Sequence, residues 1–271
     1  MSEEYRELKW TCPLCSGAVW VSCECMIRFI FGVTILVGYL ILFIPVLLIL
    51  WVVGKFNRRA RDIISLRMVQ TAFKAIIWTT GVKVTVIGEE NIPRDHPVLF
   101  VANHRSYFDI LLTYSRVKGL TGYVAKKEMD KAPILNIWMR YLYCLFLDRE
   151  NIKEGLKTIL KAIDYVKQGI SICIFPEGTR NKADSELDVM PFHEGSFKIA
   201  QKTGCPIVPI ALNNTVEMFE KHFPRFTPCH VVIEYGKPII LSELSREDQK
   251  RIGVYTRNII VETLKKNQEL V

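Results

Sequence analysis

The chain has 271 residues, 49% of them hydrophobic, and carries a formal net charge of +8; its mean hydropathy is +0.16 and its isoelectric point is near 9.0. This apolar content suffices for one sizeable α/β domain and a membrane element. The positive balance points to an anionic partner. With no recognised nucleic-acid-binding motif or basic–aromatic sheet signature, anionic lipid is preferred to nucleic acid.

The first 25 residues hold half of the eight cysteines: Cys12 and Cys15 form a Cys-x-x-Cys pair, with Cys23 and Cys25 close behind. A small zinc site is one reading, but the single residue between Cys23 and Cys25 departs from common zinc spacings. Phe29 to Gly54 then runs for 26 residues without a charge. As a helix it reaches about 39 Å, longer than the ~30 Å hydrocarbon core, and no small-residue cleavage site follows it. Lys55, Arg58, Arg59, Arg61 and Arg67 come next, which predicts a cytoplasmic C-terminal side. Pro45 inside the run leaves two geometries open, a single span or a bend that stays in one leaflet. Ile63, Leu66, Val69, Phe73, Ile76 and Ile77 recur at helical spacing up to Trp78, which suits an interfacial amphipathic helix or a core-facing one equally.

From Gly81 onward, strand-like and helix-like stretches alternate. Strands are expected at Val82–Gly88, Pro97–Ala102, Leu120–Ala125, Ser171–Phe175, Ile207–Leu212 and His230–Tyr235. Helices are expected from near Ser106, over Glu150–Lys167, near Gly195–Lys202 and over Arg246–Lys266. This is an α/β class, a layered mixed sheet flanked by helices with functional residues at strand ends. The chain divides into an extension (1–25), a membrane-embedding helical segment (26–80) and a catalytic region (81–271). Cys144, Cys173, Cys205 and Cys229 lie mostly in apolar surroundings and read as reduced core residues.

Four clusters carry chemistry. His104 stands five residues before Asp109; the two meet best with His104 in a strand-to-helix loop and Asp109 in the first helical turn. A carboxylate on one imidazole nitrogen fixes the tautomer and stabilises the cation, as a general base acting on an alcohol requires. Phe146-Leu-Asp-Arg149 ends an apolar run in charge, with Arg149 either a phosphate clamp or a surface ion-pair partner. At Phe175-Pro-Glu-Gly-Thr-Arg180 a strand leaves the sheet: Gly178 lets a ligand near the backbone, and Thr179 and Arg180 offer a hydroxyl and a planar fork for phosphate. Pro206-Ile-Val-Pro-Ile-Ala-Leu212 looks like a buried strand whose prolines suggest an edge or a special turn.

In this order the clusters resemble the 1-acylglycerol-3-phosphate acyltransferase family. Asn103, His104, Ser106 and Asp109 match its Asn-His-x-Ser-x-x-Asp block, and Phe146 and Arg149 the next. Phe175, Pro176, Glu177, Gly178, Thr179 and Arg180 match the third, and Ile207 to Ile210, with Pro209, the last. The resemblance covers about Met26 to the C-terminus; family members often begin near Met26, so it favours reading the preceding stretch as a dispensable extension or a misassigned start over a metal site. It departs at Tyr143, three residues before Phe146, where the family often has glycine.

The resemblance implies a glycerolphosphate-acyltransferase-like fold, with an N-terminal helical pair embedded so that lipid enters sideways; it favours the interfacial reading of Ile63–Trp78. It implies direct transfer from acyl-CoA or acyl-acyl carrier protein, used as co-substrate, to lysophosphatidic acid, with no further cofactor or metal. His104, oriented by Asp109, is then the base, and Arg180 and Arg149 hold the phosphate. Gly178 and Thr179 assist, and Glu177 either binds the glycerol or locks Arg180. Lys126 either polarises the thioester or is solvated. The common Gly-x-Ser-x-Gly hydrolase pattern is absent, which argues against Ser106 as a nucleophile. Work at the cytoplasmic face of the cell membrane, on an anionic-lipid bilayer, is expected. Glycerol 3-phosphate or a lysophospholipid as acceptor, a thioesterase, and a non-catalytic phospholipid-binding protein are the competing readings.

Overall fold

The computed structural model describes residues 17–271, so Cys12 and Cys15 lie outside the described residues. It opens with α1 (Gly17–Leu42), α2 (Ile44–Phe56) and α3 (Arg58–Thr80). The apolar run is therefore not one continuous helix. Pro45 has no N–H for the carbonyl one turn back, and its ring crowds that turn. The chain breaks at Phe43 while Phe43 N to Tyr39 O (3.1 Å) and Leu47 N to Phe43 O (3.0 Å) carry it across. Asn57 then caps α3, its side chain accepting from Ala60 N at 2.9 Å. α3 returns antiparallel along the broken helix, with Arg61 against Gly54 and Thr79 against Gly32.

On α3 the core-facing reading of Ile63–Trp78 holds for one side, while Ile63, Ile64 and Trp78 are exposed on the other. The helix buries Leu66, Val69 and Ile76 together with Asp62, Ser65 and Gln70. Gln70 Nε2 donates to the carbonyls of Tyr114 (3.2 Å) and Val117 (2.7 Å), which pins α3 to the body of the protein. α3 is thus a strut with a core-facing side, and the broad exposed apolar surface belongs to α1 and α2, where Ile27, Ile30, Phe31, Leu42, Leu48 and Trp51 are exposed. Cys23–Leu42 is long and apolar enough to cross a membrane by length and composition.

Seven strands follow among the described residues: β1 (Lys83–Ile87), β2 (Leu99–Ala102), β3 (Thr121–Lys126), β4 (Leu145–Leu147), β5 (Ser171–Ile174), β6 (Ile207–Asn213) and β7 (His230–Tyr235). Their order in the sheet is β1-β7-β6-β2-β5-β3-β4, parallel except between β6 and β7. Between them come α4 (Phe108–Tyr114), α5 (Leu135–Tyr141), α6 (Ile152–Lys167) and α7 (Lys198–Thr203), and after β7 come α8 (Arg246–Lys250) and α9 (Ile252–Asn267). The single helix expected over Arg246–Lys266 is thus split, at Arg251 with φ −117° and ψ 36°.

Both faces of the sheet are covered, so the central strands read as unbroken apolar runs instead of alternating ones. Phe100, Tyr123, Cys173, Val208 and Ile210 pack towards α3, α4 and α5, and Leu99, Val101, Ile172, Ile174 and Ile207 pack with residues of α6, α7 and α9 on the other side. β6 is central, which corrects the edge reading of its prolines. Pro209 pairs in register with Val101 of β2, and beside it Gly236 has no side chain because a Cβ there would meet the Pro209 ring at 2.8 Å. Strands β2 to β6 run parallel in the sheet, so their C-terminal ends, and the loops that follow, gather along one edge.

Candidate active site

β2 delivers Asn103 and His104 to that edge. Asn103 is buried and bonds β6 twice: its Nδ2 donates to Leu212 O (3.0 Å), and Leu212 N donates to its Oδ1 (2.9 Å). The amide extends the β2–β6 ladder one step past the strand and fixes where the chain turns. Over the next five residues the chain wraps around a single oxygen. Asp109 Oδ2 accepts from Arg105 N (2.7 Å), Ser106 N (2.8 Å) and His104 Nδ1 (2.8 Å). The loop-then-helix placement expected from the five-residue spacing is what forms. Asp109 is fully buried, and its Oδ1 has no partner among the described residues. With Nδ1–H held by the carboxylate, the lone pair of His104 sits on Nε2.

β5 supplies the wall behind the imidazole. Phe175 stacks on the His104 ring at 4.3 Å with planes 28° apart. Of the two roles expected for Glu177, a glycerol contact or a lock on Arg180, its hydrogen bonds go to backbone amides and not to Arg180. Glu177 is buried; its Oε1 accepts from His104 N at 2.7 Å and its Oε2 from Met190 N at 3.0 Å. Burial pushes its carboxyl above the usual range, and the two amides pull the other way. Asn181 N closes the loop by donating to His104 O at 2.7 Å. Pro176 is buried before Glu177. Gly178 has φ +75°, the left-handed region, and a Cβ there would lie 3.1 Å from His193 Nε2. Thr179 beyond it is exposed.

Arg180 meets two residues that the sequence reading missed. Its guanidinium lies 3.6 Å from the centre of the Tyr107 ring, and Nη2 donates to the Tyr107 hydroxyl at 2.9 Å. Its Nη1 stands 3.6 Å from Glu220 Oε1. Glu220 arrives from the loop after β6 and accepts from Ser106 Oγ (2.7 Å) and Tyr107 N (2.7 Å). Burial raises its carboxyl, and the nearby Asp109 charge adds to that, against the pull of these donors. Nothing in the sequence marks Glu220, which sits 114 positions from Ser106. Tyr107 occupies a variable place inside a recognised block.

The remaining predicted residues share the edge without touching this group. Lys126 ends β3, pairs with Glu128 at 3.2 Å and is 61% exposed; in the free protein it is a solvated lysine. Phe146 lies in β4 under the Arg140 guanidinium at 5.7 Å. Arg149 is exposed just past β4, and Asp148 pairs with Lys127 at 2.7 Å instead. Tyr143, the departure from the family pattern, has φ +59°, where glycine is the ordinary choice. Its hydroxyl donates to the buried Asp62 at 2.5 Å and its ring meets Tyr165 edge-on at 5.0 Å, which holds a tyrosine where the backbone favours none. Cys23, Cys25, Cys144, Cys173, Cys205 and Cys229 are all free thiols.

Residues 83–213 match a family model described as Acyltransferase. The chain is similar to the 1-acyl-sn-glycerol-3-phosphate acyltransferase of Borreliella burgdorferi, 32% identical over 74% of this chain and 79% of that one. It is also similar to that of Saccharomyces cerevisiae, 32% identical over 68% of this chain and 61% of the other. The alpha form from Homo sapiens is 27% identical over 70% and 66%. Among solved structures, the crystal structure of the 1-acyl-sn-glycerophosphate (LPA) acyltransferase PlsC from Thermotoga maritima superposes with a TM-score of 0.75 at 25% identity. That likeness covers 91% of this chain and 98% of the other.

Proposed function

The chain belongs to the 1-acyl-sn-glycerol-3-phosphate acyltransferase family, and from that membership we propose that it transfers a fatty acyl group from an acyl thioester to the 2-hydroxyl of 1-acyl-sn-glycerol 3-phosphate, making phosphatidic acid. The observation that carries the mechanism is the His104 Nδ1 to Asp109 Oδ2 contact of 2.8 Å on a fully buried carboxylate. His104 Nε2 takes the proton of the 2-hydroxyl, and the oxygen attacks the thioester carbonyl. The C–S bond breaks, and the thiolate leaves with the proton from the imidazolium, whose charge Asp109 balances meanwhile. No covalent acyl-protein intermediate is required; Ser106 Oγ is committed to Glu220.

Arg180 receives the acceptor phosphate, with Gly178 and Thr179 beside it supplying backbone approach and a hydroxyl. Arg149 and Lys126 serve further along the edge, as a second phosphate contact and as a thioester contact. Glu177 acts through His104: by holding its amide it sets the height of the imidazole above the sheet.

The bilayer is the third participant. One side of α1 and α2 lies against protein along its length, through Phe29, Tyr39, Phe43 and Val46, while the other is apolar and exposed. A one-sided apolar face on a broken helix braced by α3 suits immersion in a single leaflet, with Arg58, Arg59 and Arg67 at the anionic cytoplasmic headgroups. Phe29 stacks on Phe219 at 5.7 Å, next to Glu220, so lipid leaving that leaflet arrives at the phosphate end of the site.

The test is thiol release from a long-chain acyl-CoA by the detergent-solubilised protein, with and without 1-acylglycerol 3-phosphate. Acceptor-dependent release with phosphatidic acid formed, lost in a folded His104→Ala variant, is the expected result. Release without acceptor indicates a thioesterase, and near-normal turnover by His104→Ala removes the proposed base.

A further inference from the structure

The contact between Glu220 and Arg180 has the chemistry of an occupied anion site. Three kinds of donor converge on one carboxylate: the Ser106 hydroxyl, the Tyr107 backbone N–H and the Arg180 guanidinium. A hydroxyl, a backbone amide and a guanidinium are also what binds a phosphate monoester. The first two contacts are full hydrogen bonds at 2.7 Å. The third is a looser ion pair at 3.6 Å, so Arg180 keeps donors for another oxygen. Tyr107 holds the guanidinium from its face and through its hydroxyl, which aims Arg180 at this place whether or not Glu220 is there.

We propose that Glu220 is a specificity-determining residue of the acceptor site: its carboxylate stands where the acceptor phosphate goes, and phosphate enters by displacing it. The inference rests on the reading of Arg180 as the phosphate ligand. Displacement is local. Glu220 is carried on a short 3₁₀ turn, Glu220–His222, and its side chain is already 19% exposed. Phe219 before it is fixed among Phe29, Phe108 and Phe226, so the carboxylate swings while the backbone stays. The consequence is a threshold. Every anion that enters must first break the same contacts, and a bare phosphate has only the cradle to offset that loss. An acceptor with an acyl chain adds apolar contact on the α1 side of the loop, where Phe219 stacks on Phe29. Inorganic phosphate is thereby kept out at concentrations where the lipid still binds.

The experiment compares the full-length protein with Glu220→Gln and Glu220→Ala variants, using inorganic phosphate as the probe. Calorimetric titration reads phosphate binding without turnover, and steady-state kinetics with varied 1-acylglycerol 3-phosphate reads the acceptor KM. Removing the competing charge should tighten phosphate binding by about tenfold and lower the acceptor KM by a similar factor in both variants. A merely structural Glu220 behaves otherwise: Ala lowers kcat, Gln restores it, and phosphate affinity does not move. That pattern, or weaker phosphate binding in both variants, overturns the proposal. Tighter phosphate binding in a protein that never releases thiol would leave the cradle standing while removing the acyltransfer reading.

Discussion

Asp109→Asn isolates the charge of the orienting group from its geometry. All three donors point at Oδ2, so an amide oxygen in its place keeps every hydrogen bond and the His104 tautomer. The amide nitrogen then takes the site of Oδ1, which already lacks a partner among the described residues. An unsatisfied buried donor there costs about 1–3 kcal/mol, but it replaces a carboxylate oxygen that was itself unsatisfied, so the net loss of stability is small. What disappears is the attraction between carboxylate and imidazolium. With the ring charge centred about 4 Å away and an effective dielectric near 20, that attraction is about 4 kcal/mol, or roughly three decades in rate if the proton has fully moved in the transition state. A half-transferred proton gives about half that energy, or roughly thirtyfold. Asp109→Asn should therefore lower kcat by about thirty- to a thousandfold, with the melting temperature shifted by only a few degrees. Acceptor-dependent thiol release from acyl-CoA and circular-dichroism melting measure the two quantities. A folded variant with kcat within threefold of wild type refutes an imidazolium supported by Asp109.

Two further substitutions probe the surroundings of this pair. Gly178→Ala places a Cβ at φ +75° and 3.1 Å from His193 Nε2. The exposed histidine can yield but the backbone cannot, so about 1–2 kcal/mol of stability is lost and the acceptor KM rises as Arg180 shifts; an unchanged melting curve and KM contradict a cramped Gly178. Replacing Leu48 and Trp51, exposed on the outer face of α2, by glutamate removes about 1.5–3 kcal/mol of membrane partitioning per side chain. Binding to anionic vesicles in a flotation assay should fall by at least a hundredfold while the melting temperature holds, and undiminished flotation rejects immersion of this face.

The fold was legible where one physical signal dominated. β2, β5 and β6 are buried on both faces, so they stand out as apolar runs, and the motif residues at their ends mark where they leave the sheet. Signals that compete were misjudged. Pro209 suggested an edge because proline cannot donate to a ladder, yet the partner strand accommodates it through Gly236, a neighbour 27 positions on that no local pattern announces. The spacing on α3 was compatible with two burials, and the choice lies with Gln70, a polar residue that reaches carbonyls more than forty positions away.

The candidate site divides in the same way. His104 and Asp109 are five residues apart and meet through a turn whose geometry the chain dictates locally, so their pairing was readable. The partners of Glu177 were not readable: a glutamate in a turn between proline and glycine carries no local sign that the amides of His104 and Met190 take both its oxygens. Glu220 was invisible, because what brings it to the site is the convergence of β2, β5 and β6 at one edge, which gathers Ser106, Arg180 and the loop after β6. The four recognised blocks therefore hold the residues proposed to react and to bind, while Glu220, proposed to compete for Arg180, lies outside all of them. On that proposal, a substitution at Glu220 changes what Arg180 binds while every residue of the four blocks stays as it is.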